Sequence, residues 1–138
     1  MPKVTLHRLD NDFHLEARNV VGSTLQMDGN PEIGGHNLGL RPLETMIASL
    51  GGCSSMDVIM ILKKQKQQID SYDVEIEYER DHDLEPALIT KIHIKFIVKG
   101  KVDEEKLDRA IKLSLDKYCT VSKMLEKTAT ITFSYQLN

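Results

Sequence analysis

One stretch, Arg41 to Lys66 (RPLETMIASLGGCSSMDVIMILKKQK), constrains what this chain can fold into more than any other. Read as a helix, it carries apolar residues on nearly every side. Leu43, Met46, Ile47, Leu50, Val58, Ile59, Met60, Ile61 and Leu62 do not fit one stripe. A helix that is apolar all round is normally buried all round, so this segment is predicted to be the core helix. Pro42 suits a first turn, where the missing N–H is not needed. Lys63, Lys64 and Lys66 suit the negative end of the helix dipole. Gly51 and Gly52 interrupt the run just before Cys53. Each costs a helix about 1 kcal/mol relative to alanine. They therefore call for a reason: close packing against a neighbour, a kink, or open space beside the thiol.

The flanking segments read as strands and one further helix. Val4 and Leu6, then Phe13, Leu15 and Ala17, then Val21, Leu25 and Met27 alternate with polar residues. They predict a three-strand meander with a turn at Asp10–Asp12. Pro31 to Leu40 reads as a loop into the long helix. Tyr72, Val74, Ile76 and Tyr78 alternate with acidic residues, and Thr90 to Lys99 alternates with mostly basic ones. Glutamates facing lysines favour an antiparallel pair. Asp103 is placed to cap a helix whose stripe is Leu107, Ala110, Ile111, Leu115 and Tyr118. Thr120 to Leu125 extends it by a turn or two, and Ile131 to Leu137 is a last strand. The order is three strands, a long buried central helix, two strands, a helix and a C-terminal strand. That is an α+β fold, in a single domain spanning residues 1–138. Six strands cannot wrap one apolar helix on every side. The uncovered side calls for a second copy, and an intertwined homodimer is expected.

A net charge of −3 argues against a nucleic-acid or anionic-membrane footprint. The N-terminus reads as neither a signal nor a transit peptide. No stretch is read as approaching the roughly 20 apolar residues of a membrane span, so the expected location is the cytoplasm. There is no CxxC, hence no thioredoxin-like motif and no zinc-ribbon spacing. His7, His14, His36, His82 and His93 form no ligand pair at helical spacing, and GGHNLGL lacks a phosphate-loop lysine. Neither a metal nor a cofactor is expected.

The chemistry then rests on few residues. Small neighbours (Gly51, Gly52, Ser54, Ser55) leave the Cys53 thiol accessible within an apolar setting. A reactive thiol needs a cation, a helix N-terminus or a hydrogen bond to become a thiolate. Taken alone, a helix cysteine beside glycine is more often a core residue, and Cys119 is as ambiguous. Glu44, at the start of an apolar helix, either complements the dipole or serves the site. Arg18 and Arg41 are the candidate cations.

Together, RPLETMIASLGGCSSMDV (Arg41–Val58), IHIKFIVKG (Ile92–Gly100) and LDKYCTVSKMLEKTATITFSY (Leu115–Tyr135) resemble the OsmC/Ohr family. That family comprises osmotically induced protein C and organic hydroperoxide resistance proteins, and the chain is especially similar to the YhfA-like branch. The resemblance covers nearly the whole chain. It implies an OsmC-like homodimer and a thiol-dependent peroxidase. Cys53 would attack an organic hydroperoxide and become a sulfenic acid. Cys119 would resolve it to a disulfide, and a dithiol would reduce that disulfide. The family's glutamate maps to Glu44 and its arginine to Arg18. Two other readings stand beside this one. In the first, the dimer cleft binds an apolar small molecule and the cysteines are incidental. In the second, the cysteine pair is a redox sensor without turnover.

Overall fold

In chain order the computed structural model, which describes Met1–Asn138, carries eleven segments of regular structure. They are β1 (Thr5–Arg8), β2 (Leu15–Arg18), β3 (Thr24–Met27), a 3₁₀ turn (Pro31–Ile33), α1 (Pro42–Lys64), β4 (Gln68–Arg80), β5 (Ile89–Lys101), α2 (Glu104–Leu113), a π-helical turn (Ser114–Tyr118), α3 (Thr120–Leu125) and β6 (Thr130–Leu137). This is the α+β order that the hydrophobic periodicity predicts. The chain forms two units, Met1–Ile47 and Ala48–Asn138, described in turn.

In the first unit, β1, β2 and β3 pair antiparallel in chain order. Short polar side chains shape both turns. Asp10 accepts the N–H groups of Asp12 (2.8 Å) and His14 (3.1 Å). Asn19 accepts those of Val21 and Ser23. Such local bonds replace the ladder bonds that a turn must give up. Asp28 organises the loop beyond β3. Its buried carboxylate accepts from the N–H groups of Gly29 (2.7 Å), His36 and Leu38 (both 3.1 Å). Burial pushes this carboxyl up, but the donors at Leu38, His36 and Gly29 outweigh it and hold it below its ordinary range. Gly35 has no alternative, since a Cβ there would lie 1.8 Å from the Gly29 carbonyl oxygen.

In the second unit, β4 and β5 pair antiparallel over most of their length. The expected facing of opposite charges occurs, with Glu75 opposite Lys95 and Glu79 opposite Lys91. Lys91 and Glu79 approach to 3.9 Å, an exposed pair of the kind that contributes little. The other face of β5 supplies the core: Ile92, Ile94, Phe96 and Val98 are buried. β6 joins β5 in parallel. A parallel neighbour requires a crossover, and the segment from α2 to α3 is that crossover.

Asp103 caps α2, accepting the Lys106 N–H at 3.1 Å. Leu107, Ala110, Ile111 and Leu115 are buried as the stripe predicts, but Tyr118 is 52 % exposed. The reason is the π turn. Its i→i+5 bonding puts more residues in the turn than an α-helix has, so the phase falls behind and the stripe ends at Leu115.

Helix α1 departs from one expectation and has the uncovered side that the strand count calls for. It is long and apolar enough, by length and composition, to cross a bilayer, which the sequence reading did not credit to any stretch. It is also buried on one side only. Leu50, Ser54, Val58 and Leu62 are covered, whereas Met56 (74 %), Ile59 (40 %) and Met60 (50 %) are exposed. The covered side meets Ile76 and Val74 of β4 at Gly51, as a core helix does.

Candidate thiol site

α1 runs unbroken through Gly51 and Gly52, so neither glycine marks a kink. Gly51 meets the close-packing requirement: a Cβ there would lie 2.9 Å from Ile76 Cδ1. Gly52 faces open space, with nothing within 4 Å of such an atom. Cys53 follows, half-buried. Its neighbour Ser54 turns inward and donates to the Leu50 carbonyl at 2.9 Å. Two residues on, Ser55 accepts a 2.9 Å bond from the Tyr72 hydroxyl, which burial pushes up to about 12.

Cys119 lies just beyond the π turn, fully buried and reduced. Its side chain also caps α3, accepting the Ser122 N–H at 3.3 Å. The structure brings the two cysteines near enough for Cys53 to act on the Cys119 thiol. Burial first, and the neighbouring Cys53 second, push the Cys119 thiol up to about 11, against the pull of the Ser122 N–H. At neutral pH it is therefore a protonated thiol beside a more accessible one.

The other candidate residues belong to the first unit. Arg18 ends β2, exposed, and pairs with Glu16 at 2.9 Å. The Glu44 carboxylate accepts the Arg41 N–H at 2.7 Å. A carboxylate at the third helical position reaching back to the residue before the helix is one half of a capping box. The Arg41 guanidinium is engaged by the loop, donating to the carbonyls of Asp28 and Gly39 and to the Asn37 side chain. Among the histidines, His36 bonds Asp12 at 2.7 Å in an exposed pair, and His93 lies between the hydroxyls of Thr132 and Ser134 on the sheet.

Two polar residues beside the thiols escaped the sequence reading. The Ser114 hydroxyl donates to the Asp57 carboxylate at 2.8 Å. A signal for this existed. Asp57 is the single acid inside SSMDVIMIL, and Ser114 interrupts an otherwise apolar stripe. A polar group in such surroundings needs a partner.

The comparisons agree with this architecture. The model of the family described as OsmC-like protein matches residues 35–134. The protein YhfA of Escherichia coli K12 is 38 % identical over 117 residues, 84 % of each chain. A hypothetical protein from Aquifex aeolicus VF5 has a similar crystal structure, with a TM-score of 0.84, 28 % identity and coverage of 100 % of this chain and 96 % of that one. An organic hydroperoxide resistance protein OsmC from Legionella pneumophila shares the fold at a TM-score of 0.70 and 13 % identity, over 99 % and 96 % of the two chains. The match over most of the chain, joined to the identity with YhfA, shows that this protein belongs to the OsmC-like family, in its YhfA-like branch.

Proposed function

We propose that the protein is a cysteine peroxidase that reduces organic hydroperoxides. The observation that carries this is the buried, protonated Cys119 thiol near the half-exposed Cys53. Kinship with proteins named for organic hydroperoxide resistance adds to it. The Cys53 thiolate attacks the terminal peroxide oxygen, the O–O bond breaks, and the alkoxide leaves as an alcohol after taking a proton. Cys53 is then a sulfenic acid. The Cys119 sulfur attacks it, water departs, and a disulfide remains. A dithiol returns both cysteines to thiols by exchange. We place this cycle in the cytoplasm, where thiol pools sustain it. Purified protein supplied with cumene hydroperoxide and a panel of dithiols tests the reading. Catalytic consumption is expected, and none with any dithiol would refute it.

The working unit in this proposal is a homodimer. Gly52, Met56, Ile59 and Met60 recur at helical spacing, and the three large residues are exposed in the single chain. A second copy on this face would bury them. Sedimentation is expected to give a dimer at micromolar concentration. Gly52→Leu, whose Cβ would meet nothing within 4 Å in its own chain, is expected to weaken that dimer about tenfold to a hundredfold, as overpacking does. A variant that stays as tightly paired as the wild type would move the interface elsewhere.

In this reading Glu44 and Arg18 serve a site completed by the second copy. Nine residues of regular helix separate Glu44 from Cys53 by about 13.5 Å along the axis, and α1 has no break to shorten that path. The glutamate's role would be to hold an arginine beside the thiolate. A bare carboxylate there would raise the thiol pKa. Mixing a Glu44→Ala protein with a Cys53→Ser protein and refolding is expected to restore about a quarter of the wild-type sites by random pairing. No recovery would confine Glu44 to its own chain's helix cap.

A further inference from the structure

We propose that Ser114, clamped by Asp57, is the positioning residue that holds Cys119 against Cys53. The proposal rests on the two-thiol reading above and extends it to residues outside the reacting pair.

Ser114 is fully buried at the first position of the π turn. Its two ends do different things. The side chain reaches α1, where the hydroxyl donates to Asp57 Oδ2 at 2.8 Å and lies 3.3 Å from the Ser54 carbonyl oxygen. The backbone carbonyl accepts the Cys119 N–H at 2.7 Å, closing the π turn. Asp57 is four residues after Cys53 on the same helix, so the two are neighbours on its surface. One residue therefore ties the helix that carries the first thiol to the backbone that carries the second.

Two further bonds hold the segment beyond that tie. The Ser122 hydroxyl donates to the Leu115 carbonyl at 2.9 Å, and the Ser122 N–H reaches the Cys119 sulfur at 3.3 Å. An α-helical continuation through Ser114–Tyr118 would turn each later residue by about 100° relative to the last and set Cys119 at a different angle. The π turn corrects that angle, and the clamp on Ser114 pins the turn to α1. A hydrophobic pair of the same size would pack at Ser114 and Asp57 without a desolvation cost. The polar pair adds direction, which a reaction between two sulfurs needs.

Ser114→Ala and Asp57→Ala remove the clamp, and Asp57→Asn keeps an acceptor for the hydroxyl. One equivalent of cumene hydroperoxide followed by acid quench and mass spectrometry separates the two steps, with dimedone trapping the Cys53 sulfenic acid. The alanine variants are expected to form the sulfenic acid within about twofold of the wild-type rate. They should close the disulfide at least about tenfold more slowly, since small misplacements of reacting groups carry large rate losses. Asp57→Asn should close it at close to the wild-type rate. Equilibration with reduced and oxidised glutathione supplies a readout free of peroxide chemistry. There the disulfide of the alanine variants should be at least about tenfold less favoured. If the wild type ignores hydroperoxides but closes the disulfide with glutathione, and Ser114→Ala weakens it, the peroxidase reading fails and the positioning role stands. Unchanged closure in Ser114→Ala overturns the proposal. So does a wild type that closes no disulfide by either route, or equal loss of both steps together with a lowered melting temperature.

Discussion

Cys53→Ser is expected to lower organic hydroperoxide turnover at least about a thousandfold, because a serine hydroxyl is a far weaker nucleophile than a thiolate and no second nucleophile can take its place. Cys119 is too buried to do so and keeps its proton up to about 11. Cys119→Ser should behave differently. Without added dithiol it should consume one equivalent of cumene hydroperoxide and stop as a protein heavier by one oxygen. The wild type should consume one equivalent and stop lighter by two hydrogens, as the disulfide. Intact-mass measurement distinguishes these end states. Full turnover in Cys53→Ser, or a disulfide mass in Cys119→Ser, would remove these two residues from their assigned roles.

The second large effect concerns which thiol answers to reagents, and at what pH. With a Cys119 value of about 11, about one molecule in a thousand carries that thiolate at pH 8. Burial reduces access further. Iodoacetamide at pH 8 should therefore modify Cys53 at least about a hundredfold faster than Cys119, as peptide mapping would read. Equal labelling would mean that the Cys119 environment is open. The same shift has a stability consequence. Its folded value lies above the ordinary cysteine value, so the stabilisation is complete below about 8.5 and is lost as the pH climbs towards 11. Tyr72, raised to about 12 by burial, adds a like loss from about 10 upwards. The melting temperature should fall on the alkaline side, and Cys119→Ala should flatten the earlier part of that fall.

Local order was legible because its causes are local. Apolar alternation marks Tyr72–Tyr78 as half-buried strand, and the carboxylate of Asp103 marks where α2 begins, since both effects act over a few residues. The facing of glutamates and lysines across β4 and β5 followed from side-chain charge and the two-residue period. Family likeness singled out Cys53 and Cys119, but no rule of spacing could, for their meeting joins α1 to the far end of the α2 crossover.

What tertiary structure alone decided has a common physical cause: it depends on groups distant in sequence. The parallel course of β6 beside β5 is a property of the crossover. The exposed flank of α1 follows from which neighbours cover it, and residue polarity does not tell one covered side from another. The π turn that turns Tyr118 outwards and leads into Cys119 is pinned to α1 by the Ser114–Asp57 bond, a contact that neither segment specifies by itself. Residue types and their periods therefore determined the elements, and family likeness named the two sulfurs. The packing of α1 against the end of α2 decided that those sulfurs are neighbours, because there two distant segments are held in one place.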